Sequence, residues 1–94
     1  MKTTQELITE QAMLALDLLI EKNNAYGDSA LNPANIFAKG SAVENLSARI
    51  DDKLMRIKTK GIDPATEDTV LDLIGYLILL RVAIIQDNQK WLQS

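Results

Sequence analysis

The sequence predicts an all-α domain, on three observations. Two capping boxes are present, apolar residues recur at helical spacing behind each of them, and no stretch shows the alternating pattern of a strand. Ninety-four residues, 47% apolar and 24% charged, suit one domain spanning residues 1–94. Three helices are expected, at about 4–23, 42–60 and 64–91, with a long first loop.

The first helix opens at Thr3-Thr4-Gln5-Glu6, where a hydroxyl and a carboxylate answer free backbone N–H groups reciprocally. Leu7, Met13, Leu14 and Leu18 follow at helical spacing, and the pattern fades at Asn23-Asn24. Residues 24–41 hold Gly27, Pro33, Gly40 and three Asn, so they read as a connection with at most a short turn near Asn35 to Lys39. A loop this long in a small domain is more often functional than idle.

A second box, Ser41-Ala42-Val43-Glu44, opens the second helix, whose buried stripe is Val43, Leu46, Ile50, Leu54 and Ile57. Gly61 ends it. Asp63-Pro64 then forms an N-cap and first-turn pair for the third helix, with Thr66 an equally good cap a little later. Between Leu73 and Ile85 the third helix is apolar nearly all round, which two other helices cannot easily cover. A homo-oligomeric helical bundle, with third helices, alone or together with first helices, packing across symmetry axes, is the simplest resolution; a buried hydrophobic ligand is the less favoured one.

Composition excludes several chemistries. With no cysteine and no histidine there is no disulfide, no Ser-His-Asp triad and no His- or Cys-based zinc site, so a metal would be held by oxygen. A net charge of -3 with both signs interspersed gives no footprint for duplex nucleic acid or an anionic membrane. Val70 to Ile85 is too short and too charged, with Asp72 and Arg81 inside it, to span a bilayer. Glu6, Glu10 and Asp17 break any apolar core of a secretory signal, so a cytoplasmic location is expected.

Three polar clusters remain. In "KNNAYGDS", Lys22, Asn24 and Tyr26 read either as an ordinary helix C-terminus or as groups for a phosphate and a base. In "ARIDDKLMRIK", Arg49, Lys53 and Arg56 lie along one side, as a solvated face supported by an Asp52–Arg56 pair or as a set of phosphate-binding cations. In "EDTVLDLIGYLILL", Glu67 and Asp68 suit a helix N-terminus, while Asp68, Asp72 and Tyr76 share one edge. A carboxylate between Leu71 and Leu73 is costly to bury alone, so Asp72 should meet a cation: Arg49, Lys53, Arg56 or a divalent metal. No GxxxxGK[ST] or GxGxxG phosphate loop occurs.

In this order the three blocks resemble a family of small phage and prophage proteins, the nucleotide-modification-associated domain of formerly unknown function, related to the all-α, MazG-like nucleoside triphosphate pyrophosphohydrolases. The resemblance covers roughly Glu21 to Val82, at Lys22, Asn23, Tyr26 and Gly27, then Arg49, Asp52, Lys53 and Arg56, then Asp68, Asp72 and Tyr76. It implies a helical, commonly oligomeric nucleotide-binding module with its site between helices. The pyrophosphohydrolases hold Mg²⁺ with an ExxE pair and an ExxD pair, whereas here Glu44 is followed by Ser47, and Thr69 stands three before Asp72.

The leading expectation is therefore a nucleotide binder, in the host cytoplasm if the chain is phage-encoded. Its pocket is formed by the second and third helices and the Tyr26 loop and uses Lys22, Asn24, Tyr26, Arg49, Lys53, Arg56 and Tyr76. Sequestration of a signal such as a cyclic nucleotide of host defence is implied by the class and by no particular residue. The enzyme alternative is a Mg²⁺-dependent nucleotide pyrophosphohydrolase with Asp52, Asp68 and Asp72 on the metal. A non-catalytic protein-interaction bundle is the third.

Overall fold

The computed structural model describes residues 1–35 and 39–93, with the backbone alone at 67 and 90–93. The described residues form three α-helices, α1 (Thr4–Tyr26), α2 (Ala42–Lys60) and α3 (Glu67–Gln93), with a 3₁₀ turn at Pro64–Thr66 and no strand. None of these helices is long and apolar enough to cross a membrane.

Each helix begins where its cap chemistry places it. At α2 the box closes both ways: Glu44 N–H donates to Ser41 Oγ at 3.1 Å and Ser41 N–H donates to Glu44 Oε1 at 3.2 Å. At α1 only half of the expected box forms. Glu6 N–H donates to Thr3 Oγ1 at 3.1 Å, but the Thr3 hydroxyl turns its own proton to Glu6 Oε1 at 3.3 Å. Before α3 the two candidate caps work together, as Asp63 Oδ1 accepts from Ala65 N–H at 2.8 Å and Thr66 Oγ1 accepts from Asp63 N–H at 2.9 Å. The buried Thr66 hydroxyl lies 3.1 Å from both the Gly61 and Asp63 carbonyls, so this turn is closed from within.

The end of α1 differs from expectation. The helix runs through Asn23-Asn24 to Tyr26 and stops at Gly27, whose left-handed backbone (φ 58°) lets its N–H return to the Asn23 carbonyl. Asn23 does not break the helix because its side-chain amide is engaged elsewhere, donating to Asp28 Oδ1 at 2.6 Å. Asp28 is itself left-handed (φ 61°), and its carbonyl accepts from Leu31 and Asn32 N–H, which folds the chain back beside α1. The short turn expected near Asn35 to Lys39 falls largely on residues outside those described.

Helix α3 is the spine, packing broadly on α2 and more sparsely on α1. Among the described residues the buried apolar side chains are few: Ala15 of α1, Leu46 of α2 and Ala83 of α3. On α2, Val43, Ile50 and Ile57 are half-buried as the predicted stripe requires, but Leu54 is turned out, 48% exposed. Lys53 takes the inward position instead, because it has a carboxylate to meet there.

Candidate functional site

Where the C-terminal half of α1 crosses α3, the two helices do not close on each other and leave a cavity of about 130 Å³. Its floor is apolar, made by Ala15, Leu18 and Leu19 of α1 and by Leu71, Gly75 and Leu79 of α3. Gly75 contributes bare backbone to this floor. A Cβ at that position would point at Leu19 and sit 3.6 Å from its Cδ1, so the missing methyl is space belonging to the cavity.

Polar groups gather around this floor. Lys22, Asn23 and Tyr26 come from the last turn of α1, Arg49 from α2, and Asp72 and Tyr76 from α3. Tyr26 is 69% exposed, which leaves its ring at the solvent side of the cavity. Ser29 and Ala30 complete the lining, carried there by the turn that the left-handed Gly27 and Asp28 create. A second cavity of about 330 Å³ shares Ser29, Ala30 and Arg49 with the first, so Arg49 borders both spaces.

Asp72 ties the three helices together. Its Oδ2 lies 3.1 Å from Lys53 Nζ of α2 and its Oδ1 lies 3.4 Å from Lys22 Nζ of α1. The side chain is 30% exposed. Burial by itself would push this carboxyl up, but the hydrogen bonds and charges of Lys53 and Lys22 outweigh it and hold Asp72 below the ordinary aspartate range. The carboxylate is therefore ionised and satisfied; the lining carries two cations (Lys22 and Arg49) against one anion, with Lys53 held beside it through Asp72 and Asp28 through Asn23.

The sequence-predicted residues divide under this geometry. Lys22, Tyr26, Arg49 and Tyr76 line the cavity, and Lys53 joins them through Asp72. Asn24 is exposed and does not line it; its neighbour Asn23 does. Arg56 is exposed and lines neither cavity, and among the described residues it forms no ion pair with Asp52. Of the cations expected to face Asp72, Lys53 does so, and the other partner is Lys22, because α1 lies across the same edge of α3. Asp52 and Asp68 are exposed, and among the described residues no three carboxylates come close enough together to hold a metal ion. Asp68 thus shares an edge of α3 with Asp72 and Tyr76 but not the cavity.

Against models of known families, curated proteins and solved structures, this chain finds no match. The site must be read from its own chemistry.

The floor and its opening have little signature in the sequence. Leu18, Leu19, Leu71 and Leu79 look like any core leucines in the sequence, since which helix they face is a tertiary fact. The one available signal was Gly75, a lone glycine inside a Leu- and Ile-rich helix, the kind of residue that marks close approach or needed space.

Proposed function

We propose that this protein is a phage-type nucleotide-binding protein that works as a homo-oligomer, holding its ligand in the α1–α3 cavity. The observation that carries the reading is the pairing of an apolar slot, with Tyr26 and Tyr76 in its lining, and a surplus of cations around it. A flat ring gains from apolar walls and aromatic faces, while phosphates need Lys and Arg. At about 130 Å³ the slot is smaller than the roughly 300–1,000 Å³ typical of pockets that enclose a whole drug-sized ligand. One ring system therefore sits inside, and the phosphates lie over Arg49 toward the larger neighbouring cavity.

Binding without turnover is favoured over hydrolysis by the position of Asp72. Its two oxygens are engaged by Lys53 and Lys22, and the remaining candidate ligands Asp52 and Asp68 stand apart. A protein of this kind in a host cytoplasm suits the sequestration of a signalling nucleotide, such as a cyclic one used in defence.

The test is to incubate the protein with nucleoside triphosphates and with cyclic di- and trinucleotides, with and without Mg²⁺, then denature it and analyse the nucleotides. Intact ligand recovered from a tight complex supports the proposal. Monophosphate and pyrophosphate appearing only with Mg²⁺ would replace it with the pyrophosphohydrolase reading, and no retained nucleotide would refute both. Arg49→Ala, at the border of the two cavities, should weaken binding about 10-fold or more, the usual worth of a charged hydrogen-bond partner.

A further inference from the structure

A folded monomer of 10.4 kDa is expected to expose about 5,400 Å². This chain exposes 7442 Å², about 2,000 Å² more than that scaling allows. Part of that surface is apolar and lies on two helix faces. On α3, Ile74, Leu77, Ile78, Ile84 and Ile85 point outward at spacings of three, four and seven, on the side opposite the buried Thr69 and Ala83. On α1, Met13, Leu16 and Ile20 form a second outward stripe, away from Ala15, Leu18 and Leu19 that floor the cavity. These eight side chains remain 39–53% exposed.

Each stripe carries one charge at its middle. Asp17 follows Leu16 and lies four residues after Met13 on α1, and Arg81 lies between Ile78 and Ile84 on α3. Both are exposed, and neither has an ion-pair partner among the described residues. The α3 stripe laid against its own copy would bring Arg81 toward Arg81. Laid against an α1 stripe, it brings Arg81 toward Asp17.

We infer that α1 and α3 dock against α3 and α1 of a second copy of this chain, with Asp17 of each protomer meeting Arg81 of the other. An isologous contact makes each pairing twice, and two such helix pairs complete a four-helix bundle. A specific interface needs about 800 Å² from each partner, less than half of the surplus surface this chain exposes. This interface specifies the self-association in the proposed function and is independent of its nucleotide ligand.

The test is charge reversal on the full chain, read by sedimentation velocity over a range of concentrations, with helix content followed by circular dichroism. The native chain should associate. Asp17→Arg and Arg81→Asp should each raise the dissociation constant at least 10-fold, the scale of a close interfacial charge pair, and the double variant should restore association. A misfolded single variant would not be rescued by a second reversal, and Leu16→Glu, at an outward position, offers a further route to dissociation. An oligomer indifferent to both reversals, or single effects that the double variant fails to repair, would overturn this interface while leaving self-association standing. A native chain that stays monomeric would overturn both.

Discussion

Gly75→Ala separates the two roles of the α1–α3 crossing, because the same methyl should strengthen the fold and weaken the site. Gly75 lies in the middle of α3, where glycine costs roughly 0.8–1.0 kcal/mol relative to alanine. Replacement usually carries a penalty where the backbone is left-handed or the space is taken, and neither holds here. The residue is helical, and the nearest atom to the new Cβ is Leu19 Cδ1 at 3.6 Å, an ordinary van der Waals contact. Stability should therefore rise by about 1 kcal/mol, which for a chain of this size shifts the thermal midpoint by roughly 4–8 °C. The measurement is thermal and urea unfolding followed by circular dichroism at one fixed chain concentration, since association alters apparent stability. The added methyl also enters a cavity of only about 130 Å³, so nucleotide affinity should fall in the same variant. A loss of stability would refute the reasoning about Gly75. Raised stability with unchanged affinity would refute the assignment of this cavity as the binding slot.

Three further outcomes follow from the geometry. Asp72→Asn should reduce stability by about 1 kcal/mol, since it replaces a partly exposed carboxylate shared by two lysines. Because the folded chain holds this carboxyl below its ordinary value, the unfolded chain takes up the proton first as pH falls. The contribution is thus complete above about pH 4 and disappears as pH drops through the lowered folded value, so the variant should show a flatter acid limb below about pH 4 than the native chain in urea titrations. Ser41→Ala removes the acceptor for Glu44 N–H and should cost about 1 kcal/mol in the same assay, with Ser41→Thr retaining most of it. Gly27→Ala forces a Cβ into a left-handed conformation (φ 58°) at the end of α1, and should cost roughly 1–2 kcal/mol even though nothing lies within 4 Å of the new atom.

The helices themselves were legible because their signals are local. Ser41 with Glu44, Asp63 with Thr66, and Gly61 act within a few residues, so spacing alone locates α2 and the turn before α3, although α3 itself begins at Glu67 after a 3₁₀ turn and not at the expected residue 64. The end of α1 was misjudged by one turn for a related reason: Asn23 resembles a terminator until its amide is seen bonded to Asp28, and the left-handed Gly27 is the real stop. Leu54 and Lys53 exchange the roles their polarity suggests, because a carboxylate on another helix outweighs hydropathy at that position.

The sequence by itself determined three helices, the absence of thiol and imidazole chemistry, and the need for Asp72 to meet a cation, since each follows from residue type or from neighbours along the chain. Only the tertiary structure decided which cations those are, that Gly75 lines a cavity, and that Arg56, Asp52 and Asp68 stand outside it. Those outcomes depend on how α1 and α2 are rotated about α3, and a helix carries its own periodicity without specifying which neighbour will meet each of its faces.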